Sequence, residues 1–407
     1  MNSLRGVLSD IFQAAIHAVS PYDIVKQYCS HMISADALNA ARIMKVIGFG
    51  KAACPMAQAA EEVFQNRIDD GVIITKYSHC SGYNFSRIAV HEAGHPLPDE
   101  IGLQGTEHVM TVVRGSDEDT LILCLISGGG SALLVSPYDG ITLRDKQTVT
   151  DLLLKSGADI QELNIVRKHL SRVKGGRLAE IAYPATIISL ILSDVLGDRV
   201  DAIASGPTAP DPSTYDDALF VLHKYDLIDK MPPTVLHTLR KGSDGIIPES
   251  PKEGGVVFQK VQNIIIGSNS TALHAARDRV QAIGFKSEII SEKIAGEARD
   301  MGVWLASVAR EIHRSSKGGN YQKTCLISGG ETTVTVRGNG LGGRNMELAL
   351  AFAMQIEGIS GITLLSAGTD GTDGPTDAAG ALVDGHTVQV ARASGMDPQL
   401  FLDNNDS

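Results

Sequence analysis

Apolar residues recur along the chain in two periods. At the start, Leu4, Val7, Leu8, Ile11, Phe12, Ala15 and Ile16 follow three- and four-residue steps, which predicts an amphipathic helix over 3–29. From residue 43 onward, short continuous apolar runs alternate with helical patterns. The runs predict strands over 43–48, 72–75, 87–90, 121–127 and 186–192, with helices over 52–66, 100–114, 142–156, 160–169 and 174–182. Beyond 256 the alternation restarts. It predicts strands over 262–267, 286–290, 323–329, 332–337 and 361–366, and helices over 270–284, 296–314 and 345–357. Strands that alternate with helices in this way predict an α/β fold, its parallel strands joined by right-handed crossovers. Turn residues concentrate at 206–216 and at 241–256, and the second stretch marks the expected boundary between domains 1–245 and 256–407.

Composition narrows the class. The 407 residues are 43% apolar, enough for a large core, and the 42 glycines suit many tight strand-to-helix turns. A net charge of −11 argues against a nucleic-acid binder, which needs a basic face. It leaves room for an anionic ligand, because local cations set the field inside a cleft. The five cysteines, Cys29, Cys54, Cys80, Cys124 and Cys325, are scattered and form no Cys-x-x-Cys pair, which points to reduced thiols. With no apolar run of about 18 residues and no secretory leader pattern, the expectation is a soluble cytoplasmic protein that does not enter a membrane.

Three glycine-rich turns follow predicted strands: Gly48-Phe49-Gly50-Lys51, Ser127-Gly128-Gly129-Gly130-Ser131, and the Leu341-Gly342-Gly343-Arg344-Asn345 segment that opens a helix. Backbone N–H groups, a helix N-terminus and a cation pointing the same way make an anion site, so these turns suggest a polyphosphate ligand. The first turn also fits part of a dinucleotide fingerprint. That fingerprint needs an acid at the end of the next strand, and here Asp69 and Asp70 precede that strand. No Gly-x-x-x-x-Gly-Lys-[Ser/Thr] occurs, which argues against a P-loop fold.

His91-Glu92-Ala93-Gly94-His95 matches the zinc-protease letters. Gly94, Pro96 and Pro98 oppose the helix that zinc binding by this motif requires, which leaves a polar loop with His95 near a substrate or a plain loop. Asp194 directly follows the strand 186–192 and can hold Mg²⁺ or cap a helix. Arg167 belongs to a basic block (with Lys168, Lys174 and Arg177) that is either a solvated face or the rim of an anion site. Glu331 follows a Ser-Gly-Gly turn. Asp370 and Asp373 lie in the acidic glycine loop 367–377, suited to substrate hydroxyls, metal or base catalysis.

Taken in order, the blocks VIGFGKAACPMA (46–57), HEAGHPLPD (91–99), LISGGGSALL (125–134), IQELNIVRKHLSRVKGGRLA (160–179), SLILSDVLGDRVDAIASGPT (189–208), IIGSNSTAL (265–273), SGGETTVTV…GGRNMELAL (328–350) and SAGTDGTDGPTDAAGA (366–381) resemble the class II glycerate kinases, the glycerate 2-kinases of the MOFRL family. The resemblance implies ATP- and Mg²⁺-dependent phosphorylation of D-glycerate to 2-phosphoglycerate. It implies a Rossmann-like N-terminal domain, a smaller α/β C-terminal domain and an active site between them. It puts Lys51 and Arg344 at the catalytic centre.

On this basis Ser127, Gly128, Gly129, Gly130, Ser131 and Lys51 are expected to hold ATP and Asp194 the metal. Asp370 or Asp373 is expected to orient the 2-hydroxyl or take its proton, Asp370 being placed with the catalytic residues, and His95, Arg167, Glu331 and Asp373 are expected to bind substrate. The family pattern continues beyond Ser407, so the C-terminal sheet is expected to lack its last segment. A hydroxypyruvate reductase and a non-catalytic sugar-phosphate sensor are the rival readings. The sequence leaves the oligomeric state open, a homodimer included.

Overall fold

The computed structural model describes residues 4–33, 38, 40–315 and 322–407. They form two compact units. One is Ser20–Ser268; the other joins the segment ending at Val19 to Asn269–Ser407.

In the first unit, strands β1 (Ile43–Phe49), β2 (Asp70–Lys76), β3 (Ala89–Ala93), β4 (Thr120–Ile126), β5 (Thr186–Leu192) and β6 (Val261–Gly267) make one parallel sheet in the order β3-β2-β1-β4-β5-β6. Every residue of β4 is buried, because helices cover both faces and neither side of the strand meets water. Alternate residues divide between two cores. Ile122, Cys124 and Ile126 join one cluster with Ile47 and Phe49, while Leu121, Leu123 and Leu125 join the other with Met44 and Val46. The helices Pro21–His31 and Ala53–Phe64 pack on the second face; Glu100–Val113 and Arg177–Ala182 pack on the first. A third cluster unites the helices Leu143–Lys155, Ile160–His169, Tyr215–Lys224 and Pro233–Ser243.

The strand order reverses between β1 and β4. In open sheets of this kind, ligands bind beyond the carboxyl ends of the strands at that switch point. Phe49 and Ile126, the last residues of β1 and β4, stand directly opposite each other. The turns that follow them are thereby brought side by side.

In the second unit, β7 (Lys286–Glu297) pairs in parallel with β8 (Thr324–Thr333), and β9 (Thr363–Ala367) pairs antiparallel with β10 (Gly380–Asp384). The helices Ala298–Ser315 and Arg344–Gln355 enclose a core containing Leu305, Leu348 and Phe352. The helix Leu4–His17 buries Ile11 and Ala15 against Leu273 and Ala276 of the helix Asn269–Ala282.

Several expectations change. The single helix over 3–29 is two helices, because Ser20 caps the second and Pro21 opens it, and the two belong to different units. The expected domain boundary at 241–256 is a packed loop of the first unit. Ser250 donates to Asp211 (3.0 Å), the Pro251 carbonyl accepts from the Asp211 amide (3.0 Å), and Arg177 donates to the Pro248 carbonyl (3.2 Å). The strand after it, β6, completes the first sheet beside β5. The strands expected over 323–329 and 332–337 are one strand, β8, ending at Thr333. Finally, Cys54 and Cys80 are joined in a disulfide, against the expectation of reduced thiols throughout; Cys29, Cys124 and Cys325 are free. Spacing could not show that pairing, since only folding brings the two Cα atoms to 5.6 Å.

Candidate active site

The turns after β1 and β4 are fastened to each other by backbone and side-chain hydrogen bonds. The Lys51 amide donates to the Gly128 carbonyl (2.8 Å), the Ser127 amide to the Phe49 carbonyl (3.1 Å), and the Ala52 amide to Ser127 Oγ (3.0 Å). Gly50 has φ of +130°, and a Cβ there would stand 2.2 Å from Ser127 Oγ, so only glycine permits this approach. From the next strand, Thr75 Oγ1 donates to the Gly50 carbonyl (3.1 Å). Ser127, expected to touch ATP, is buried with its hydroxyl engaged in this fastening. It shapes the turn from within.

Three further groups converge on the glycines. A Cβ on Gly128 would lie 2.3 Å from a carboxylate oxygen of Asp194, which is exposed just beyond β5. A Cβ on Gly129, where φ is +83°, would meet the His95 ring at 2.9 Å and the Lys51 side chain at 3.3 Å. His91 lies within β3 and His95 in the loop after it, so the pair does not share a helix. Partial burial, with the Lys51, Lys76 and His79 charges adding to it, pushes the His95 imidazole below its ordinary pKa. Ser131 shares a hydroxyl–hydroxyl bond of 2.9 Å with Ser205, and its carbonyl accepts from Lys174 (2.9 Å).

The basic block divides. Lys168 is buried against Asp211 (3.1 Å), and Arg177 donates to Tyr215 (3.2 Å); both hold the fold. Arg167 and Lys174 instead line a cavity of about 200 Å³ with His95, Gly129, Ser131 and Lys146. Lys146 escaped the sequence reading, in which a lysine on a polar-looking helix passes for a solvated side chain. Its signal was the spacing, because Lys146, Val149 and Leu153 form the buried stripe of the helix Leu143–Lys155.

The remaining candidates sit in the second unit. Arg344 is the first residue of the helix Arg344–Gln355 and donates to Glu331 at 2.6 Å, so those two are ion-paired. Asp370 is exposed in the acidic loop, near Gly368. Asp373 is different. Only 2% exposed, it accepts from the backbone amides of Asn345 (3.0 Å) and Met346 (2.8 Å) and from the Asn345 side chain (3.0 Å). The anion at this helix N-terminus is the protein's own carboxylate, so these bonds give Asp373, expected to bind substrate, a capping role. Upstream of Arg344, the glycine turn is held by the chain's last residues: Asn405 accepts from the Arg337 amide (2.7 Å) and Asp406 from the Leu341 amide (2.7 Å). Among the described residues, no helix is long and apolar enough to cross a membrane.

A doubly wound parallel sheet whose switch point gathers a lysine, a glycine turn and a carboxylate places the chain among the α/β proteins that bind ligands at such a point. Comparison with known proteins makes this specific. Residues 7–240 match the domain described as DUF4147, a domain of unknown function, and residues 324–407 match the MOFRL family. The chain is 44% identical over 405 residues to the D-glycerate 2-kinase of Thermotoga maritima, covering 100% of this chain and 92% of that protein. It is 44% identical over 364 residues to the glycerate 2-kinase of Pyrococcus horikoshii, covering 89% and 80%. The crystal structure of the Thermotoga maritima glycerate kinase superposes with a TM-score of 0.87 at 43% identity, over 99% of this chain and 92% of that one. The chain belongs to the glycerate 2-kinase family.

Proposed function

We propose that this protein transfers the γ-phosphoryl group of ATP to the 2-hydroxyl of D-glycerate, giving 2-phosphoglycerate and ADP. The observation that most supports this reading is the meeting of Lys51, the Gly128–Gly129 turn, His95 and Asp194 at the switch point, in a chain so similar to D-glycerate 2-kinases. Phosphoryl transfer asks a protein chiefly for positioning and charge compensation. The turn at 128–131 would cradle phosphates through backbone N–H groups, and Lys51 would neutralise charge on the migrating group. For Arg344, paired with Glu331 in its own unit, the family resemblance supports a catalytic role. Asp370 would orient the 2-hydroxyl, and Arg167 would receive the acid's carboxylate.

The residues also suit Mg²⁺. That ion is bound through one or two carboxylates together with substrate phosphates, and Asp194 is an exposed carboxylate against the glycine nest. When bound there, the ion would offset the negative charge of the phosphates. The reductase reading lacks its key group, since β2 ends in Thr75-Lys76 with no acid for a ribose.

The test is ADP release from MgATP with D-glycerate, with the product identified by phosphorus NMR. A 2-phosphoglycerate signal is expected. Nucleotide binding with no phosphorylated product would overturn the reading in favour of a sensor, and consumption of reduced nicotinamide with hydroxypyruvate would replace it with a reductase.

A further inference from the structure

The cavity beside the glycine nest has an unusual charge balance. Lys146, Arg167 and Lys174 line it with His95, and no carboxylate does. Lys146 comes from the helix Leu143–Lys155, Arg167 from the helix Ile160–His169, and Lys174 from the loop before the helix Arg177–Ala182, so three separate segments aim cations at one space. Lys174 is partnered, donating to the carbonyls of Ser131 (2.9 Å) and Ala204 (3.4 Å). Lys146 is not. It is 7% exposed, and its ammonium nitrogen is buried with no hydrogen-bond partner. A buried ammonium left unpartnered beside a guanidinium is strongly unfavourable, and it is relieved either by giving up its proton or by gaining an anion.

Burial, with the Arg167 charge added, pushes the Lys146 ammonium down to about 7. Burial, and then Lys146 and Arg167, push Lys174 well below its ordinary value. Both directions describe a cluster that an anion would relieve. The volume limits which anion. About 200 Å³ lies below the range of about 300–1,000 Å³ usual for drug-sized ligands and is ample for a three-carbon acid.

We propose that this cavity is the carboxylate subsite for the hydroxy-acid substrate, and that Lys146 is the residue that distinguishes a carboxylate from a neutral group there. With the carboxylate between Lys146 and Arg167, the rest of a small acid reaches the cavity wall formed by Gly129 and Ser131, where the phosphates are read above to lie. The inference rests on the reading of the chain as a kinase of a small hydroxy acid.

The experiment compares D-glycerate with its neutral amide, D-glyceramide, by calorimetric binding without nucleotide and by steady-state kinetics with MgATP. For the wild type, glycerate should bind at least about 10-fold more tightly, as expected of a charge-assisted pair. Lys146→Met should raise the glycerate Kd and KM about 10- to 100-fold, bring the glycerate-to-amide ratio towards one, and leave the ATP KM within about twofold. Its folding should not suffer, because the change deletes an unpartnered buried charge; Lys146→Gln is the second variant should the thioether pack badly.

Equal weakening of acid and amide would mean a structural role and would overturn the proposal. So would a raised ATP KM with unchanged glycerate binding, which would assign the cavity to nucleotide phosphate. Equal wild-type affinity for acid and amide would overturn it without any variant. The two readings fail separately: absence of ADP release from any acceptor sinks the kinase, while calorimetry still reports whether Lys146 selects a carboxylate.

Discussion

Asp373 offers the sharpest separation of a structural from a substrate-binding role. Replacing it with alanine removes an acceptor for three donors at the start of the helix that carries Arg344. Loss of a capping acceptor costs about 1–2 kcal/mol, and loss of a partly buried charge at the positive end of a helix dipole costs up to about 2 kcal/mol. Because the site is only 2% exposed, water reaches the freed amides poorly, so a total of about 3–4 kcal/mol is expected. Asp373→Asn keeps one acceptor oxygen and should lose about half of that.

The protein carries its own reporter. Its single tryptophan, Trp304, lies on the helix Ala298–Ser315, which packs against the helix Arg344–Gln355 at Gly302 and Leu348. Urea unfolding followed by Trp304 fluorescence therefore reads this unit. With a slope of about 2 kcal/mol per M, Asp373→Ala should move the midpoint down by about 1.5 M. A midpoint within about 0.3 M of wild type, with activity abolished, would refute the capping argument and return Asp373 to the substrate.

Other expectations follow from the same geometry. Lys51→Ala should cut turnover by about 100-fold or more while leaving urea stability within about 0.5 kcal/mol, because the backbone bonds that fix the turn remain; unchanged turnover would remove Lys51 from the chemistry. Gly128→Ala places a methyl 2.3 Å from an Asp194 oxygen, so it should displace that carboxylate and raise the Mg²⁺ concentration for half-maximal rate; an unchanged metal requirement would separate Asp194 from the ion. Asp211→Asn leaves the buried Lys168 only the more distant Asp201 carboxylate, at 3.8 Å in place of 3.1 Å, and should cost up to about 3 kcal/mol, checked by urea unfolding.

In the wild type, burial alone would raise the Asp211 pKa, but the Lys168 charge and the bonds from Ser213 outweigh it and hold the carboxyl below its usual range. A depressed folded-state pKa stabilises the fold above the unfolded value of about 4 and is lost as pH falls through the folded value. Acid titration of urea stability should therefore decline below about pH 4, and less so in Asp211→Asn.

The sequence by itself determined the class of fold and singled out the glycine turns proposed above to hold the phosphates. Alternating apolar strands and amphipathic helices leave few arrangements besides a covered parallel sheet, and Gly48-Phe49-Gly50-Lys51 and Ser127–Ser131 are local signals, written in consecutive residues. The strands β1, β4 and β5 fall within two residues of their expected bounds for the same reason. Whatever depended on residues far apart in the chain was decided only by the tertiary structure. Periodicity says that 262–267 is a strand but not which sheet accepts it, so the boundary moved to Ser268. It says that 3–29 is helical but not that its two halves serve different units. It gave no hint that Cys54 pairs with Cys80, or that Asp373 caps a helix 27 and 28 residues back. Lys146 is the clearest case: on its own helix it is one more polar residue. Only the approach of Arg167 and Lys174 from other segments, and the exclusion of water that burial brings, turns it into a cation in want of an anion.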